Sequence, residues 1–308
     1  MRRGVDLRAV ASMVLLCIIW GIQQVAIKGV MDEVSSLLQI AIRSGASAVL
    51  IFLLSTCLSR TTADTREFRL AGCVAGALFA LEFFFVAQGL RFTSASHMAV
   101  FLYTAPIFAA IGLQLFHPDE RLSLLQWGGI ALAFTGIAVA FLSGGQQRGD
   151  VHQMLIGDGM GLLAGFSWGA TTVVVRCSAL SRAPASVTLF YQLAGGAVLL
   201  LPLAWVSGQH HFQPALAGIL SLVFQTLVVS FASYLAWFSL MKVYIVSQLG
   251  ILSFMTPVFG VLAGMLILHE KPLPEFFYGS ALILAGVIIV SGMPWFSEYI
   301  KKRLRYQV

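Results

Sequence analysis

The sequence predicts an all-α membrane protein of ten transmembrane helices in two inverted five-helix repeats, and three observations carry that expectation. Of the 308 residues, 58% are hydrophobic and only 10% charged, and mean hydropathy is +0.88. A soluble chain needs more charge to cover its surface, so the solvent for most of this one is lipid. Apolar runs of about 20 residues recur along the chain, the length an α-helix needs to cross the hydrocarbon core. Backbone polar groups must be paired internally there, which leaves helices or a closed barrel, and runs of this length select helices. Finally, WGIQQVAIK, Trp20 to Lys28, returns 148 positions later as WGATTVVVR, Trp168 to Arg176, the mark of an internal duplication.

The first span, 9–30, follows a basic start, MRRGVDLR. That start and its apolar core have the form of a signal peptide, but no small-residue cleavage site precedes the next helix, so the segment is read as a retained span. Further spans are expected at 34–57, 69–90, 94–116, 123–143, 156–178, 184–206, 214–239, 245–268 and 274–294. Short connections make successive helices neighbours and leave no extramembrane domain. The longest polar connector, GGQQRGDVHQ from Gly144 to Gln153, divides the chain into repeats over 1–145 and 146–308. The second ends in a cytoplasmic C-terminal tail.

The formal charge of +6 would point to nucleic acid in a soluble protein. Here Lys and Arg cluster between apolar runs, as they do where a membrane protein faces an anionic leaflet, and no nucleic-acid partner is expected. With the N-terminus inside, Arg2, Arg3, Arg8, Arg60, Arg66, Arg69, Arg121, Arg176, Arg182, Lys242, Lys301, Lys302, Arg303 and Arg305 lie at inner segments or helix ends. Lys28, Arg43, Arg91, Arg148 and Lys271 do not. The bias places both termini in the cytoplasm of a bacterium, with the chain in its inner membrane.

The duplication extends along both halves. Arg43 to Leu50 resembles Gln192 to Leu199, LYTAPIF resembles SFMTPVF with Pro106 and Pro257 in register, and Asp119-Glu120 faces Glu270-Lys271. Five spans per unit is odd, so the second unit enters the membrane from the opposite side. Inverted repeats generate two related conformations, one open to each face, which is the basis for expecting transport of a small molecule.

Trp20, Gln24 and Lys28 share one helical face, as do Trp168, Thr172 and Arg176. Each stripe runs from a central tryptophan toward a face of the membrane, so Lys28 and Arg176 either line vestibules or snorkel to headgroups. Gln23, Gln24, Gln39, Arg43, Glu82, Gln88, Tyr103, Tyr191, Gln192, Gln225, Tyr234 and Gln248 also lie within spans and should face a cavity or one another. Arg43 either holds a substrate carboxylate or pairs with Glu82. Glu82 and His97 are the candidates for proton coupling, His97 having a structural hydrogen bond as its alternative. Trp20, Trp168, Tyr103, Tyr191 and Tyr234 would stack a flat or apolar solute. Pro106 and Pro257 would bend their spans, as hinges or as static shape.

Soluble-protein motifs fail on context. GDGMGLLAGFSWG has no preceding strand or phosphate lysine, and Gly161, Gly165 and Gly169 form a helix-packing face instead. The sequence HEK at His269 lacks the second histidine of a zinc motif, and no nucleophile elbow is found. Cys17, Cys57, Cys73 and Cys177 have no metal or redox spacing and are read as packing residues. Neither catalysis, a metal nor a cofactor is expected, and the chain is expected to act as a monomer.

The early WG, RSGAS at Arg43 to Ser47, APIFAAI at Ala105 to Ile111, and TPVFGVLAG followed by His269-Glu270 resemble the ten-helix EamA class of the drug/metabolite transporter superfamily. The resemblance covers about residues 9–294, and its motifs are mainly architectural. It implies ten helices and export by alternating access. A similarity to YddG-like exporters implies aromatic and other neutral amino acids as cargo, while broader relatives export other metabolites and drugs.

Overall fold

The protein is described from a computed structural model, over residues 3–58, 65–116, 122–142, 151–269, 274–286 and 289. It is all-helical among these residues; the only extended pairings there are isolated bridges, Arg3 to Tyr244 and Val34 to Phe212. The helices are α1 (Leu7–Lys28), α2 (Ser36–Leu58), α3 (Arg69–Gly89), α4 (Ala95–Leu102), α5 (Ala105–Phe116), α6 (Leu124–Leu142), α7 (Val151–Cys177), α8 (Ala185–Val206), α9 (Leu216–Val223), α10 (Tyr234–Val243), α11 (Val246–Leu252) and α12 (Thr256–Ile267). A further helix covers 274–286. Among the described residues, seven helical segments are long and apolar enough to cross a membrane, and Ala105–Phe116 and Leu124–Val139 are shorter apolar helices.

Local chemistry sets several ends. Asp6 caps α1, its carboxylate accepting from the Ala9 N–H at 2.9 Å, and Lys28 lies in the last turn, where a cation suits the helix dipole. Ser94 caps α4 by accepting from the His97 N–H at 3.0 Å. Pro106 and Pro257 occupy the second positions of α5 and α12. A missing N–H costs nothing in a first helical turn. The α-helical ladder is interrupted just before each proline, by a turn at Tyr103 and Thr104 in the fourth span and by the 3₁₀ turn Ser253–Met255 in the ninth, which otherwise runs on as one helical span. The eighth span contains a π-helical run, Phe224–Ser233, between α9 and α10. Nothing in the apolar pattern announces it, because hydrophobic periodicity does not report which carbonyl each N–H selects.

Lipid offers no hydrophobic force between helices, so close packing must hold them together. The main pairings are α3 with α7, α2 with α8, α3 with α8, α5 with α7 and α1 with α12. Glycines make them possible. A Cβ on Gly195 of α8 would lie 2.6 Å from the Gly76 Cα of α3, and one on Gly21 of α1 would lie 2.6 Å from the Gly260 N of α12. On α7, Gly157, Gly161, Gly165 and Gly169 recur every fourth residue and meet Thr93, Phe101, Thr104 and Phe108 in turn. The apolar side chains Leu15, Val49, Leu81, Val198 and Leu220 point outward, whereas Gln23, Gln24, Gln39, Arg43 and Glu82 are buried.

Helices α1 and α7 run in opposite directions. Lys28, ending α1, donates to the Thr93 carbonyl, and Thr93 in turn bonds Asp158 near the start of α7. At the other face Tyr244 bonds Asp6, which starts α1, and Lys242 donates to the Leu180 carbonyl just beyond α7. Of the acidic loop residues matched between the halves, Asp119, Glu120 and Glu270 lie outside the described residues, as does Lys271.

Replacing Gly195 by alanine should destabilise the fold by about 1–3 kcal/mol, because the added methyl meets backbone that cannot yield. Gly128→Ala, where nothing lies within 4 Å, should be neutral. Thermal unfolding of the two variants in detergent reads the difference.

Candidate functional site

A cavity with about 540 Å³ of unfilled space opens at the centre of the bundle. Trp20 and Gln23 of α1, Phe79, Glu82 and Phe83 of α3, and Leu102 and Tyr103 at the end of α4 form part of its wall. Trp168, Thr171 and Thr172 of α7, Gln192 of α8, and Tyr234, Trp237 and Phe238 of α10 complete it. Trp20 makes edge contacts with Trp168 at 5.9 Å and Trp237 at 5.6 Å, and Tyr103 meets Trp168 in the same way at 5.1 Å. Such edge-to-face packing fixes ring orientation and presents ring faces and edges to a solute.

Hydrogen bonds hold two of these rings in place. Trp20 Nε1 donates to Ser233 Oγ at 2.9 Å, and Ser233 Oγ donates to the Val229 carbonyl at 2.6 Å. Tyr234 Oη donates to Gln23 Oε1 at 2.9 Å. The π-helical run ends at Ser233, so this irregular segment positions both the acceptor for Trp20 and the following Tyr234. Thr171 and Thr172 donate to their own helix, at Ser167 O and Trp168 O. Glu82, Gln192 and the Tyr103 hydroxyl are the remaining polar groups of the wall, and among the described residues Gln192 Nε2 has no hydrogen-bond partner.

Arg43 lies behind this wall. It is 0% exposed, its guanidinium carbon sits 4.5 Å from the centre of the Phe83 ring, and none of its three nitrogens is hydrogen-bonded. Glu82 and Tyr234 are within electrostatic reach, but an ion pair between Arg43 and Glu82, one of the two alternatives open for this arginine, is not formed. Successive helical residues point about 100° apart, so with Phe83 covering Arg43 the neighbouring Glu82 turns into the cavity. With the Phe83 ring over it and the Tyr234 hydroxyl beside it, but no hydrogen bond of good geometry among the described residues, this buried cation keeps unmet hydrogen-bonding capacity.

A second cavity, with about 290 Å³ of unfilled space, adjoins the first. Ala105, Pro106 and Ala109 of α5 and Val246, Gly250 and Ser253 around α11 line it. It shares Trp168, Thr172 and Trp237 with the central cavity, so these side chains separate the two.

The structure brings Trp20, Glu82, Tyr103, Trp168, Gln192 and Tyr234 to one cavity and places the other candidate residues elsewhere. Gln24 is buried beside the wall with neither amide atom partnered. Tyr191 packs its ring on Gly72 of α3, because the absence of a side chain there leaves a seat for it. Gln248 is at the Asp6 face, where its Oε1 accepts from the Val5 N–H at 3.2 Å. Lys28 Nζ donates to the Thr93 carbonyl at 2.6 Å. Arg176 is half-buried at the end of α7, outside both cavity walls. His97 faces Asp158, with Nδ1 3.2 Å from Oδ2. Pro106 lines the second cavity and Pro257 is buried in α12.

Phe79, Trp237 and Asp158 escaped the sequence reading, whereas Phe83 belongs to the EFFF run, Glu82 to Phe85, that the sequence offers as an aromatic signal. Other phenylalanines are too frequent among the apolar runs to single out, and Trp237 has no aromatic counterpart in the first half. Asp158, near the start of α7, could have been found as a carboxylate inside an otherwise apolar segment. Among the described residues, no group of three His, Cys, Asp or Glu side chains could hold a metal ion.

The sequence profile of the EamA-like transporter family matches residues 7–142 and 155–292. An uncharacterized transporter of Bacillus subtilis (strain 168), YoaV, is 22% identical over 92% of this chain and 96% of its own length. A probable amino-acid metabolite efflux pump of Escherichia coli (strain K12) is 26% identical over 70% of this chain and 74% of its own. A solved crystal structure superposes with a TM-score of 0.72, at 19% identity, over 92% of this chain and 96% of that one, which is a likeness of fold.

Two side chains in this region yield stability predictions. Ser233→Ala leaves the buried Trp20 N–H without its acceptor and should destabilise by about 1–3 kcal/mol, read as a lower thermal midpoint. Outside the spans, the Ala9 N–H holds the Asp6 carboxyl below its usual range, and the Tyr244 hydroxyl adds to this. Because the folded-state value is the lower one, Asp6 should stabilise the fold above its unfolded value and lose that contribution as pH falls through the folded one. The gap in thermal midpoint between the parent and Asp6→Asn should therefore narrow as the pH is lowered from about 7 into the acid range below the ordinary carboxylate value.

Proposed function

The chain belongs to the EamA-like transporter family and is a membrane transporter, and from that premise we propose that it exports aromatic and other neutral amino acids. The observation that carries this reading is the makeup of the central cavity. Its tryptophans and tyrosines suit a flat or apolar side chain, Glu82 in the wall suits an ammonium, and Arg43 behind Phe83 has hydrogen-bonding capacity for a carboxylate. A rotation of Phe83 would bring that guanidinium to the solute. The description of the Escherichia coli relative as a probable amino-acid metabolite efflux pump supports the same class of cargo.

Alternating access is supported by the opposed directions of α1 and α7 and by the matched breaks before Pro106 and Pro257. Two inverted repeats, over 1–145 and 146–308, would exchange shapes to open the cavity to either face. The bias of Lys and Arg supports an inner-membrane location with both termini cytoplasmic. The chain would work as a monomer, with Glu82 as the group placed to carry a proton.

A second reading, export of multidrug-type or other metabolite cations, draws on one specific observation. With Phe83 over Arg43, Glu82 is the charged group in the cavity wall. Such a wall favours a lone cation over a zwitterion.

Reconstitution in liposomes with labelled Phe, Trp, Met and Thr separates the two. Counterflow of any of the four supports amino-acid export, and its absence for all four together with cation uptake would establish the second reading. An imposed pH gradient tests coupling. Arg43→Met should lower amino-acid transport at least about tenfold, about 1.4 kcal/mol of lost recognition, and should spare cation transport. Glu82→Gln should impair both.

A further inference from the structure

Two polar ties join the halves of the chain at opposite faces of the bundle. At one face Thr93 Oγ1 donates to Asp158 Oδ1 at 2.6 Å, and His97 Nδ1 lies 3.2 Å from Asp158 Oδ2. At the other, Tyr244 Oη lies 3.0 Å from each Asp6 oxygen, and Gln248 Oε1 accepts from the Val5 N–H at 3.2 Å. The ties occupy matching positions: Tyr244 follows Thr93 by 151 residues and Gln248 follows His97 by 151, the interval that separates Pro106 from Pro257. Thr93 and Tyr244 each stand two residues before a helix, α4 or α11, whose third residue is His97 or Gln248. Each tie therefore links the broken span of one half to the first helix of the other.

None of these six residues lines the central cavity, so none is explained by contact with a solute there. We propose that they are two access latches: opening the cavity to a face requires breaking the tie at that face, and the relative strength of the ties sets which side opens more readily. The proposal rests on the transport reading for the existence of two access states, but not on the identity of the solute.

The ties are unequal. Asp158 is 2% exposed, and parting it from Thr93 and His97 strands a buried carboxylate without its donors. The same face is tightened by Gly157, where a Cβ would lie 2.8 Å from Thr93 and 2.9 Å from the Gly89 carbonyl. The Asp6 face also carries two backbone hydrogen bonds, from the Arg3 N–H to the Val243 carbonyl at 2.9 Å and from the Ile245 N–H to the Arg3 carbonyl at 3.0 Å. Arg3 is exposed and Asp6 only partly buried, however, so water replaces the partners when that tie parts. The Asp6 latch is the weaker one, and the cavity opens more readily to the face where α1 begins. Under the proposed orientation that is the cytoplasm, the side from which an exporter loads.

Sided labelling tests this without a solute. With Cys17, Cys57, Cys73 and Cys177 replaced, Thr171→Cys places one thiol in the cavity wall, to be modified by a membrane-impermeant maleimide in vesicles of either orientation. In the parent, labelling should be faster from the Asp6 face. Asp158→Asn and the milder Thr93→Val should each raise labelling from the Lys28 face at least about threefold, and Tyr244→Phe should raise it only from the Asp6 face. Elution of each variant from gel filtration at the parent's position verifies folding. Unchanged labelling in folded Thr93→Val and Asp158→Asn, or a rise at the wrong face, overturns the latches. Loss of the amino-acid reading in liposomes would leave the labelling pattern, and the latches, standing.

Discussion

Hydrocarbon cannot hydrogen-bond, and the organisation of this protein follows from that constraint. Each backbone group must find its partner within its own helix, so the described chain is helical nearly throughout. Polar side chains turn inward for the same reason. Gln39 donates to the Ile27 and Val34 carbonyls, Gln225 donates to Gln39 and Ser221, and Ser36 donates to the Ala87 carbonyl. These amides and hydroxyls hold neighbouring helices together where burial of apolar surface offers no net gain.

Part of the polar capacity left over after that internal pairing lies at the middle of the bundle. Arg43, Gln24 and Gln192 have unpartnered nitrogens in or directly behind the aromatic wall. A fold stabilised by polar pairing would be expected to satisfy such groups, so their persistence in the interior fits recognition of a polar solute better than a purely structural use. The aromatic rings bordering them supply the contact area, and the π-helical segment before Tyr234 supplies the local irregularity that brings Ser233 to Trp20.

The ends of the bundle obey different rules from its centre. There polar groups pair across the two halves of the chain, through Thr93, His97 and Asp158 at one face and Tyr244, Gln248 and Asp6 at the other. Glycines on α7 allow the backbone approach at the Asp158 face, whereas the corresponding stretch of α1 carries Ala9, Met13 and Cys17. Unsatisfied polar groups at the centre and satisfied ones at the ends form a consistent arrangement for a protein that must bind in the middle and close at its faces.

Much of this was legible in the sequence. Composition and run length determined a helical membrane protein, because only a helix of about 20 residues meets the hydrogen-bonding demand of the bilayer. The WG pair placed Trp20 and Trp168 on matching helical faces, because a spacing of four fixes azimuth along one helix. Only the tertiary structure decided that Phe83 would stand between Arg43 and the cavity, that Gln248 would sit at the Asp6 face, and that Asp158 would pair with Thr93 and His97. Periodicity orders side chains around a single helix axis, whereas these contacts depend on the rotation and depth of one helix against another, which packing of the whole bundle sets.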